Sequence, residues 1–354
     1  MVSSSAYTYF ICLIYSKRCF SDGVEACGMN VVYASDDKFA EIMGVSILSL
    51  FENNKDSEKI HVYVLDGNIG CENKERLKSL ACSYNRAIEF VSIQKIKSEL
   101  SKIAPDRGSE AQFARLFISR LLPKECERCL YLDCDTLIRH PLRSFYETDF
   151  EGNIVCGVMD CVSKWHRLKL GIGEENVYIN SGVMLVDLNA WRKNCIEDKI
   201  IEIVKSFDGR IPYADQGCIN LILQGKIKKE HPRFNCTLLY SVFTFNELRM
   251  YRNPSVCLSR SEIEEAKRDP SIVHFISLFC IDRPWCKGAK GPFFGEWLSY
   301  KAKSPWKNEL SRLDQRNLFQ KLGAAFYRYV PRKISLAFLG LLHSRVKPLL
   351  MNGV

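Results

Sequence analysis

Two carboxylates one residue apart, Asp133 and Asp135, are the side chains whose spacing most directly suggests chemistry. They follow a short apolar run, Cys129 to Leu132, which predicts a buried strand. In an extended or turning segment, residues i and i+2 point the same way, so both carboxylates can face one ligand. Hard carboxylate oxygens suit Mg²⁺ and Mn²⁺, and a cation between the two acids would offset their repulsion. The pair therefore predicts a divalent metal site; the alternative is a loop with two solvated acids.

Strands and helices alternate along most of the chain. Apolar runs predict strands at residues 30–35, 60–66, 87–93, 129–132, 154–159, 177–187 and 272–276, and helices from residue 36 and at 74–84, 110–121, 191–207 and 218–223. This order predicts an α/β fold, a mostly parallel sheet with helices on both faces. In such sheets, ligands gather beyond the carboxyl ends of the strands, where Asp133 and Asp135 would lie. No Gly-x-Gly-x-x-Gly follows the first strand and no Walker loop occurs, which argues against a dinucleotide enzyme or a P-loop ATPase.

Several polar residues stand in or beside these apolar segments. Arg115, on a mostly apolar helix, is either a phosphate clamp or one half of a surface ion pair. The sequence Asn180-Ser181-Gly182 interrupts an apolar run, which predicts close approach of a ligand or a β-bulge. Further candidates end strands, begin a helix or stand within a strand: Asp160, Asp215, Gln216 and His274.

The positive charge of the chain is concentrated at its C-terminal end. The net charge is +9, and residues 301–354 contain 11 of the 50 lysines and arginines but only 2 of the 41 acids. Basic residues alternate with apolar ones there at helical spacing, a pattern typical of a helix on an anionic membrane surface. The alternative is a pair of helices packed on the main domain. No helix-turn-helix, zinc-finger or RNP-like motif accompanies the charge, so we expect no nucleic-acid partner.

The distribution of the cysteines and the lengths of the apolar stretches indicate the cellular location. The 16 cysteines are scattered, many of them in apolar runs, which favours buried reduced thiols over a disulfide framework. Cys126 and Cys129 form a single CxxC without a second pair, which argues against a zinc site. No apolar stretch reaches the roughly 18 residues needed to span a bilayer. Residues 6–15 are apolar but too short and lack the flanks of a signal peptide, so we expect a cytoplasmic protein.

Six motifs in a fixed order resemble the family 8 glycosyltransferases. They are V-V-Y-A-S-D-D-K-F, A-R-L, Y-L-D-C-D-T-L-I, Y-I-N-S-G-V-M-L-V-D-L, D-Q-G-C-I-N and H-F…R-P-W, spread over roughly residues 30–306. This retaining group includes bacterial lipooligosaccharide galactosyltransferases, lipopolysaccharide core glucosyltransferases and glycogenin. The resemblance implies a GT-A fold and a UDP-sugar donor. We predict an N-terminal extension (1–28), a GT-A catalytic domain (29–300) and a basic amphipathic helical region (301–354).

The resemblance also implies site residues. It makes Asp133, Asp135 and His274 ligands of Mn²⁺, with Mg²⁺ as the alternative, and an imidazole beside two carboxylates favours Mn²⁺. Asp36 would hydrogen-bond the uracil, and Phe39 would stack on it. The remaining donor-binding positions are Ala34, Lys38, Arg115, Cys134, Ser181 and Arg283. The positions at the reaction centre are Asp160, Asn180, Asp215 and Gln216.

The segment from His274 to Trp285 departs from the family pattern. Family members commonly have a glycine after the histidine and then Lys-Pro-Trp, both in contact with the phosphates. This chain has no glycine there, is a few residues longer, and carries Arg283 in place of the lysine. Arginine can still neutralise a diphosphate, but it does so with a planar fork rather than a point charge.

The implied function is transfer of galactose or glucose from UDP to a bacterial cell-surface glycan: lipopolysaccharide core, lipooligosaccharide or capsule. Like the family, the protein would use front-face attack, with Gln216 steadying the oxocarbenium ion. The basic tail would hold the protein on the inner face of the cytoplasmic membrane, where a lipid-linked glycan acceptor is presented. The alternatives are a glycogenin-like self-glucosylating primer and a degenerate UDP-sugar-binding protein.

Overall fold

A computed structural model describes residues 28–57, 59–103, 110–211, 213–314 and 316–350 of the chain. The predicted N-terminal extension lies outside the described residues, apart from Gly28.

A seven-stranded sheet lies at the centre of the molecule and a three-stranded sheet beside it. The strands are β1 (Met29–Ser35), β2 (Ile60–Asp66), β3 (Ala87–Ser92), β4 (Arg128–Leu132), β5 (Thr136–Ile138), β6 (Val155–Met159), β7 (Ile179–Asp187), β8 (Ile227–Glu230), β9 (Cys236–Thr237) and β10 (Ile272–His274). The large sheet has the order β3-β2-β1-β4-β7-β6-β8, and the small one the order β5-β10-β9. In the large sheet, β7 runs antiparallel to both neighbours and the other pairs are parallel. The predicted mostly parallel α/β architecture is therefore confirmed.

Helices cover both faces of the large sheet. The α-helices are α1 (Ala40–Asn53), α2 (Cys71–Ser83), α3 (Lys97–Leu100), α4 (Ile118–Leu121), α5 (Arg143–Tyr146), α6 (Lys164–Leu170), α7 (Leu188–Lys193), α8 (Ile196–Ser206), α9 (Ala214–Ile222), α10 (Leu238–Val242), α11 (Phe245–Arg252), α12 (Arg260–Arg268), α13 (Phe294–Lys303), α14 (Leu318–Tyr329), α15 (Arg332–Leu341) and α16 (Lys347–Leu350). The 3₁₀ helices are Asp37–Phe39, Ile93–Ile96, Glu110–Phe117 and Pro232–Asn235, and a π-helical segment, Leu342–Val346, joins α15 to α16.

The central strands are apolar on both sides because both faces of the sheet are covered. In β1, Val31 and Tyr33 pack in one hydrophobic core, while Val32 packs in a second core on the opposite face. Successive side chains of a strand point to opposite faces, so a strand buried on both faces has a continuous apolar run. β1 and β4 pair in parallel, with Val31 opposite Leu130, so their carboxyl ends lie side by side.

Two predicted helices differ in the structure. The helix predicted at 191–207 is split into α7 and α8 by Cys195, whose φ of 51° is left-handed and cannot continue a right-handed helix. The helix predicted at 110–121 is the 3₁₀ helix Glu110–Phe117 followed by the short α4. With three residues per turn, Arg115 lies over Gln112, and its Nε donates to the Gln112 carbonyl at 3.1 Å.

The C-terminal segment packs on the main domain. Trp306 is 2 % exposed, and its Nε1 donates to Asn73 Oδ1 at 2.9 Å. Leu336 of α15 is fully buried, and a Cβ at Gly340 would lie 2.7 Å from the carbonyl oxygen of Met250. Across the described ranges, no helix has the length and apolar character needed for a bilayer crossing.

Candidate active site

The small sheet brings His274 to the acidic pair. β5 and β10 pair antiparallel, with His274 opposite Thr136, and Phe275 N donates to the Asp135 carbonyl at 2.8 Å. His274 Nε2 consequently lies 3.1 Å from Asp135 Oδ1 and 3.7 Å from Asp133 Oδ2. One ligand atom from each of the three side chains lies within 4.8 Å of the others. The sequence separates these residues by about 140 positions, and the fold joins them.

The donor atoms of this cluster suit a divalent cation. His274 Nδ1 lies 3.0 Å from Asn235 Oδ1, an oxygen that can only accept, so Nδ1 is the donor in this hydrogen bond. Nε2 is then the ring nitrogen directed at the two carboxylates, where its lone pair would complete a set of three ligand atoms for a cation. A metal-bound histidine is typically oriented in this way by a hydrogen bond from its other nitrogen. Asp133, Asp135 and His274 therefore fit Mn²⁺ or Mg²⁺.

Gly182 provides the space in which the cluster forms. It lies in β7 beside β4, and its carbonyl accepts from Asp133 N at 2.7 Å. A Cβ at this position would lie 2.3 Å from His274 Cε1 and 2.6 Å from Asp133 Oδ2. Two protein side chains therefore approach Gly182 closely, and the predicted approach of a ligand stays a prediction. The alternative prediction, a bulge, agrees with the register shift of the β6–β7 pairing between Gly157–Met184 and Met159–Ile179.

Arg115 is a buried cation at the centre of the site. Its Nη2 lies 2.6 Å from Asp133 Oδ1, its Nε lies 3.1 Å from Asp215 Oδ2, and its Nη1 donates to the Ser181 carbonyl at 3.0 Å. Burial acts to lower the pKa of the guanidinium, but the carboxylates of Asp133 and Asp215 outweigh it and raise this pKa. The guanidinium also lies 4.4 Å from the ring centroid of Tyr131. Arg115 is thus no surface ion pair, and it stays charged next to the cluster.

The amide of Gln216 is held at both ends in the first turn of α9. Its Nε2 donates to Asp160 Oδ2 at 3.1 Å, and its Oε1 accepts from Asn180 Nδ2 at 3.2 Å. Tyr213 and Ala214, immediately before it, have φ values of 61° and 49°. Left-handed conformations at two successive residues with side chains are costly and are found at functional sites. The strained turn sets the position of Asp215 and Gln216.

A hydrogen-bond chain connects this amide to the metal cluster. Asn180 Oδ1 accepts from Asn235 Nδ2 at 2.9 Å, and Asn235 Oδ1 in turn bonds to His274. From Gln216 through Asn180 and Asn235 to His274, each side chain contacts the next. The reaction centre predicted from the sequence and the predicted metal ligands therefore form one polar network.

The donor-side residues of β1 lie at the neighbouring strand end. Asp36 Oδ1 accepts from Phe39 N at 3.2 Å and caps the 3₁₀ helix Asp37–Phe39, while the Ala34 carbonyl accepts from Cys134 Sγ at 3.2 Å. Burial raises the pKa of the Cys134 thiol, so it stays protonated as that donor. A cavity of about 460 Å³ opens beside Asp36, lined also by Gly67 and Ile93 from the ends of β2 and β3.

Two further predicted residues lie at the edges of this region. The exposed Lys38 offers its carbonyl to Arg312 Nη2 at 2.6 Å, and the Arg312 guanidinium lies 5.8 Å from the ring centroid of Phe39. Arg283 Nη2 lies 3.7 Å from Asp135 Oδ2. The segment after His274, which departs from the family pattern, therefore still places a guanidinium, that of Arg283, beside the acidic pair.

Two residues of the network were missed in the sequence. Tyr131 donates from its hydroxyl to Asp133 Oδ1 at 3.1 Å, and strand alternation places positions 131 and 133 on the same face, so the pattern contained that signal. Asn235 lies in the 3₁₀ helix before β9, and nothing in its local sequence indicates that it would face His274. Only the pairing of β9 with β10 brings it there.

Comparison with known proteins gives a consistent result. The family model described as "Glycosyl transferase family 8" matches residues 30–287. General stress protein A of Bacillus subtilis is 27% identical over 281 residues, covering 78% of this chain and 94% of that protein. Lipopolysaccharide 1,2-glucosyltransferase of Escherichia coli K12 is 23% identical over 289 residues, covering 80% of each chain.

Among solved structures, the galactosyltransferase LgtC in complex with donor and acceptor sugar analogues superposes with a TM-score of 0.67 at 21% identity. The match covers 80% of this chain and all of LgtC. At this identity the similarity establishes the fold, which is that of LgtC.

Proposed function

The chain belongs to glycosyl transferase family 8 and is a glycosyltransferase, and from this we propose that it transfers galactose or glucose from UDP to a cell-surface glycan with retention of configuration. The observation that carries the proposal is the single polar network that joins Asp133, Asp135 and His274 to Arg115 and Gln216. Relatives that are lipopolysaccharide hexosyltransferases support a hexose donor and a bacterial glycan acceptor such as lipopolysaccharide core, lipooligosaccharide or capsule.

Stabilisation of the leaving group is the main chemical demand. Cleavage of the bond between the sugar and UDP leaves negative charge on the diphosphate, and the side chains around the acidic pair can offset it. Mn²⁺, or Mg²⁺, held by Asp133, Asp135 and His274 would supply Lewis acidity for that charge. Arg115 and Arg283 add fixed positive charge in a largely buried site, where electrostatic stabilisation is strongest.

The reaction centre favours front-face attack over a double displacement. Asp215, the carboxylate nearest to Gln216 in sequence, is engaged by Arg115 at 3.1 Å and by the Ser181 hydroxyl at 3.2 Å. Both contacts stabilise the carboxylate and weaken it as a nucleophile. The Gln216 amide, held by Asp160 and Asn180, is a fixed dipole that can steady an oxocarbenium ion. In this proposal the departing phosphate oxygen takes the acceptor's proton.

The donor test uses a panel of UDP-sugars. We expect release of UDP and free hexose from one donor with Mn²⁺, loss of this release with EDTA, and at least a hundredfold loss in Asp135→Asn, which weakens the metal site. Asp149→Asn, in an exposed turn, is the control and should retain full turnover. UDP binding without turnover of any donor, with glycan acceptors present, would contradict the proposal and support a degenerate binding protein. Glucose incorporated into the chain itself would instead indicate a self-glucosylating primer.

The C-terminal region supports a second part of the proposal, that the acceptor is lipid-linked and the protein acts on the inner face of the cytoplasmic membrane. The outer faces of α14 and α15 expose large apolar side chains among basic ones. The exposed large apolar residues from 310 to 349 are Leu310, Leu313, Leu318, Phe319, Leu322, Tyr329, Ile334, Phe338, Leu341, Leu342 and Leu349. No acidic residue follows Asp314 in the sequence. This combination suits peripheral contact with an anionic bilayer. We retain 29–300 as the proposed catalytic domain and 301–354 as the proposed membrane-contacting region.

A further inference from the structure

Two thiols outside the metal cluster lie in contact beside the reaction centre. Cys161 and Cys257 are 96 residues apart in the chain, yet their Sγ atoms are 2.7 Å apart. Cys161 follows Asp160 directly after β6, and Cys257 lies in the segment between α11 and α12. Both are free cysteines. A disulfide requires a separation of about 2.05 Å, so a small movement of either side chain brings the two sulfurs to bonding distance.

The two thiols differ in reactivity. Cys161 is fully buried, whereas Cys257 is partly exposed. The hydrogen bond between the two thiols lowers the pKa of the Cys257 thiol, and the nearby charge of Arg249 acts in the same direction. The thiolate is the nucleophile in thiol–disulfide exchange, so Cys257 is the thiol that an external disulfide meets first.

We propose that Cys161 and Cys257 form a reversible disulfide, a redox-sensitive site next to the reaction centre. With a small-molecule disulfide as oxidant, the Cys257 thiolate attacks one sulfur and expels one thiolate, which leaves a mixed disulfide. Cys161 then loses its proton and attacks the Cys257 sulfur, which expels the second thiolate. The two protons from the cysteines are taken up by the two released thiolates. One protein disulfide and two small thiols result, so the oxidant is reduced by two electrons.

On the basis of the proposed function, the Cys161–Cys257 pair is coupled to the transfer reaction through Asp160. The Asp160 carboxylate holds Gln216 Nε2 at 3.1 Å, and the Asp160 amide donates to the Tyr178 carbonyl at 2.9 Å. Closing the disulfide joins Cys161, the residue next to Asp160, covalently to the segment that carries Cys257. This bond restricts the small adjustments by which the Asp160 carboxylate holds Gln216, and small misplacements at a reaction centre cost rate. Oxidation should therefore slow transfer.

The first experiment maps the thiols in the full-length protein. The protein is equilibrated with oxidised glutathione, the remaining thiols are alkylated, and the digest is analysed by mass spectrometry. We expect a peptide cross-linked between Cys161 and Cys257, absent in Cys161→Ser and Cys257→Ser and retained in Cys82→Ser, which alters an exposed thiol on α2. Alkylation of both residues under conditions that oxidise the exposed cysteines would overturn the proposal. This measurement needs no activity, so its failure and the failure of the proposed function are distinguishable.

The second experiment measures donor hydrolysis before and after oxidation. In the wild type, we expect at least a threefold loss of kcat, restored by dithiothreitol, with little change in the KM for the donor. Cys257→Ser should keep its rate throughout, and Cys82→Ser should behave as the wild type. A fully formed cross-link with unchanged kcat would show that the disulfide does not reach the reaction centre and would overturn the coupling.

Discussion

At the residue scale, the two oxygens of Asp133 have different partners, so one oxygen can anchor the side chain while the other is directed at a metal ion. Oδ1 accepts from Arg115 at 2.6 Å and from the Tyr131 hydroxyl at 3.1 Å. Oδ2 faces His274 at 3.7 Å. One oxygen is thereby anchored by permanent donors, and the other remains directed toward the position of a cation. Such anchoring of a ligand by neighbouring groups determines how tightly a metal site binds.

Replacing Gly182 should damage the metal site without unfolding the protein. In Gly182→Ala, the added methyl group would lie 2.3 Å from His274 Cε1, so the imidazole must move away from the carboxylates. We expect at least a tenfold loss of Mn²⁺ affinity, measured by titration calorimetry, and a comparable loss of turnover. Gly295→Ala is the control, because a Cβ there has open space within α13. Equal Mn²⁺ affinity in both variants would contradict this account of Gly182.

Asn235 should matter for metal binding although it is not a ligand. Asn235→Ala removes the acceptor for His274 Nδ1–H and the donor to Asn180, so the imidazole is no longer oriented. Loss of such a partner typically costs 10–100-fold in metal affinity or activity. Asn235→Asp keeps the acceptor and should lose less. Asn194→Ala, at an exposed position, is the control, and Mn²⁺ affinity is the measurement. If Asn235→Ala binds Mn²⁺ as the wild type does, Asn235 does not orient the imidazole for metal binding.

At the scale of elements, the sequence predicted seven of the ten strands among the described residues, but not the short strands β5, β8 and β9 or the fine structure of the helices. Strands buried on both faces, such as β1 and β4, are nearly continuous apolar runs and can be predicted from the sequence alone. The break at Cys195 depends on one left-handed residue, and the 3₁₀ winding of Glu110–Phe117 depends on packing against β1 and β2. Neither the left-handed residue nor the packing can be predicted from the spacing of apolar residues along the sequence. The same limit explains Asn235, whose position depends on a strand pairing between distant segments.

The helix α6 contains a histidine that should make stability depend on pH. His166 is fully buried, and its Nε2 has no hydrogen-bond partner among the described residues. Burial, reinforced by the charges of Lys347 and Arg252, lowers its pKa to about 3. An unfolded chain binds a proton at this site below about pH 6.5, whereas the folded protein does not. Above pH 6.5, His166 therefore takes nothing from the free energy of unfolding. As the pH decreases below 6.5, this free energy falls, by about 2 kcal/mol at pH 5.

Thermal unfolding at pH 7.5 and pH 5.0 measures this contribution. In His166→Leu, the titrating group is gone, so Tm should fall between the two pH values by a few degrees less than in the wild type. His231→Gln, at a partly exposed position, is the control and should keep the wild-type difference. An unchanged pH dependence in His166→Leu would show that another group dominates acid destabilisation.

At the scale of the whole molecule, the C-terminal region has two faces with different roles. Its inner face belongs to the fold: Lys301 Nζ lies 2.6 Å from Glu41 Oε1, and Trp306 and Leu336 are buried in the main core. Removal of residues 301–354 would expose that core, so truncation is a poor test of membrane contact. Surface substitutions on the outer face leave the packing intact and are the better test.

The outer face can be tested with Phe319→Ser combined with Ile334→Ser, which are 85% and 58% exposed. Burial of apolar surface contributes about 25 cal/mol per Å², so losing two large apolar side chains that insert between lipids should weaken binding to phosphatidylserine vesicles at least tenfold. Donor hydrolysis in solution should be unchanged, because neither side chain lies near the metal cluster. Leu298→Ser, an exposed apolar position on α13, is the matched control. Wild-type binding should also weaken as salt rises, since the basic residues among these apolar ones act through screened charge. Equal vesicle binding by the double variant, the control and the wild type would leave the apolar face without a membrane role and would remove this support for a lipid-linked acceptor.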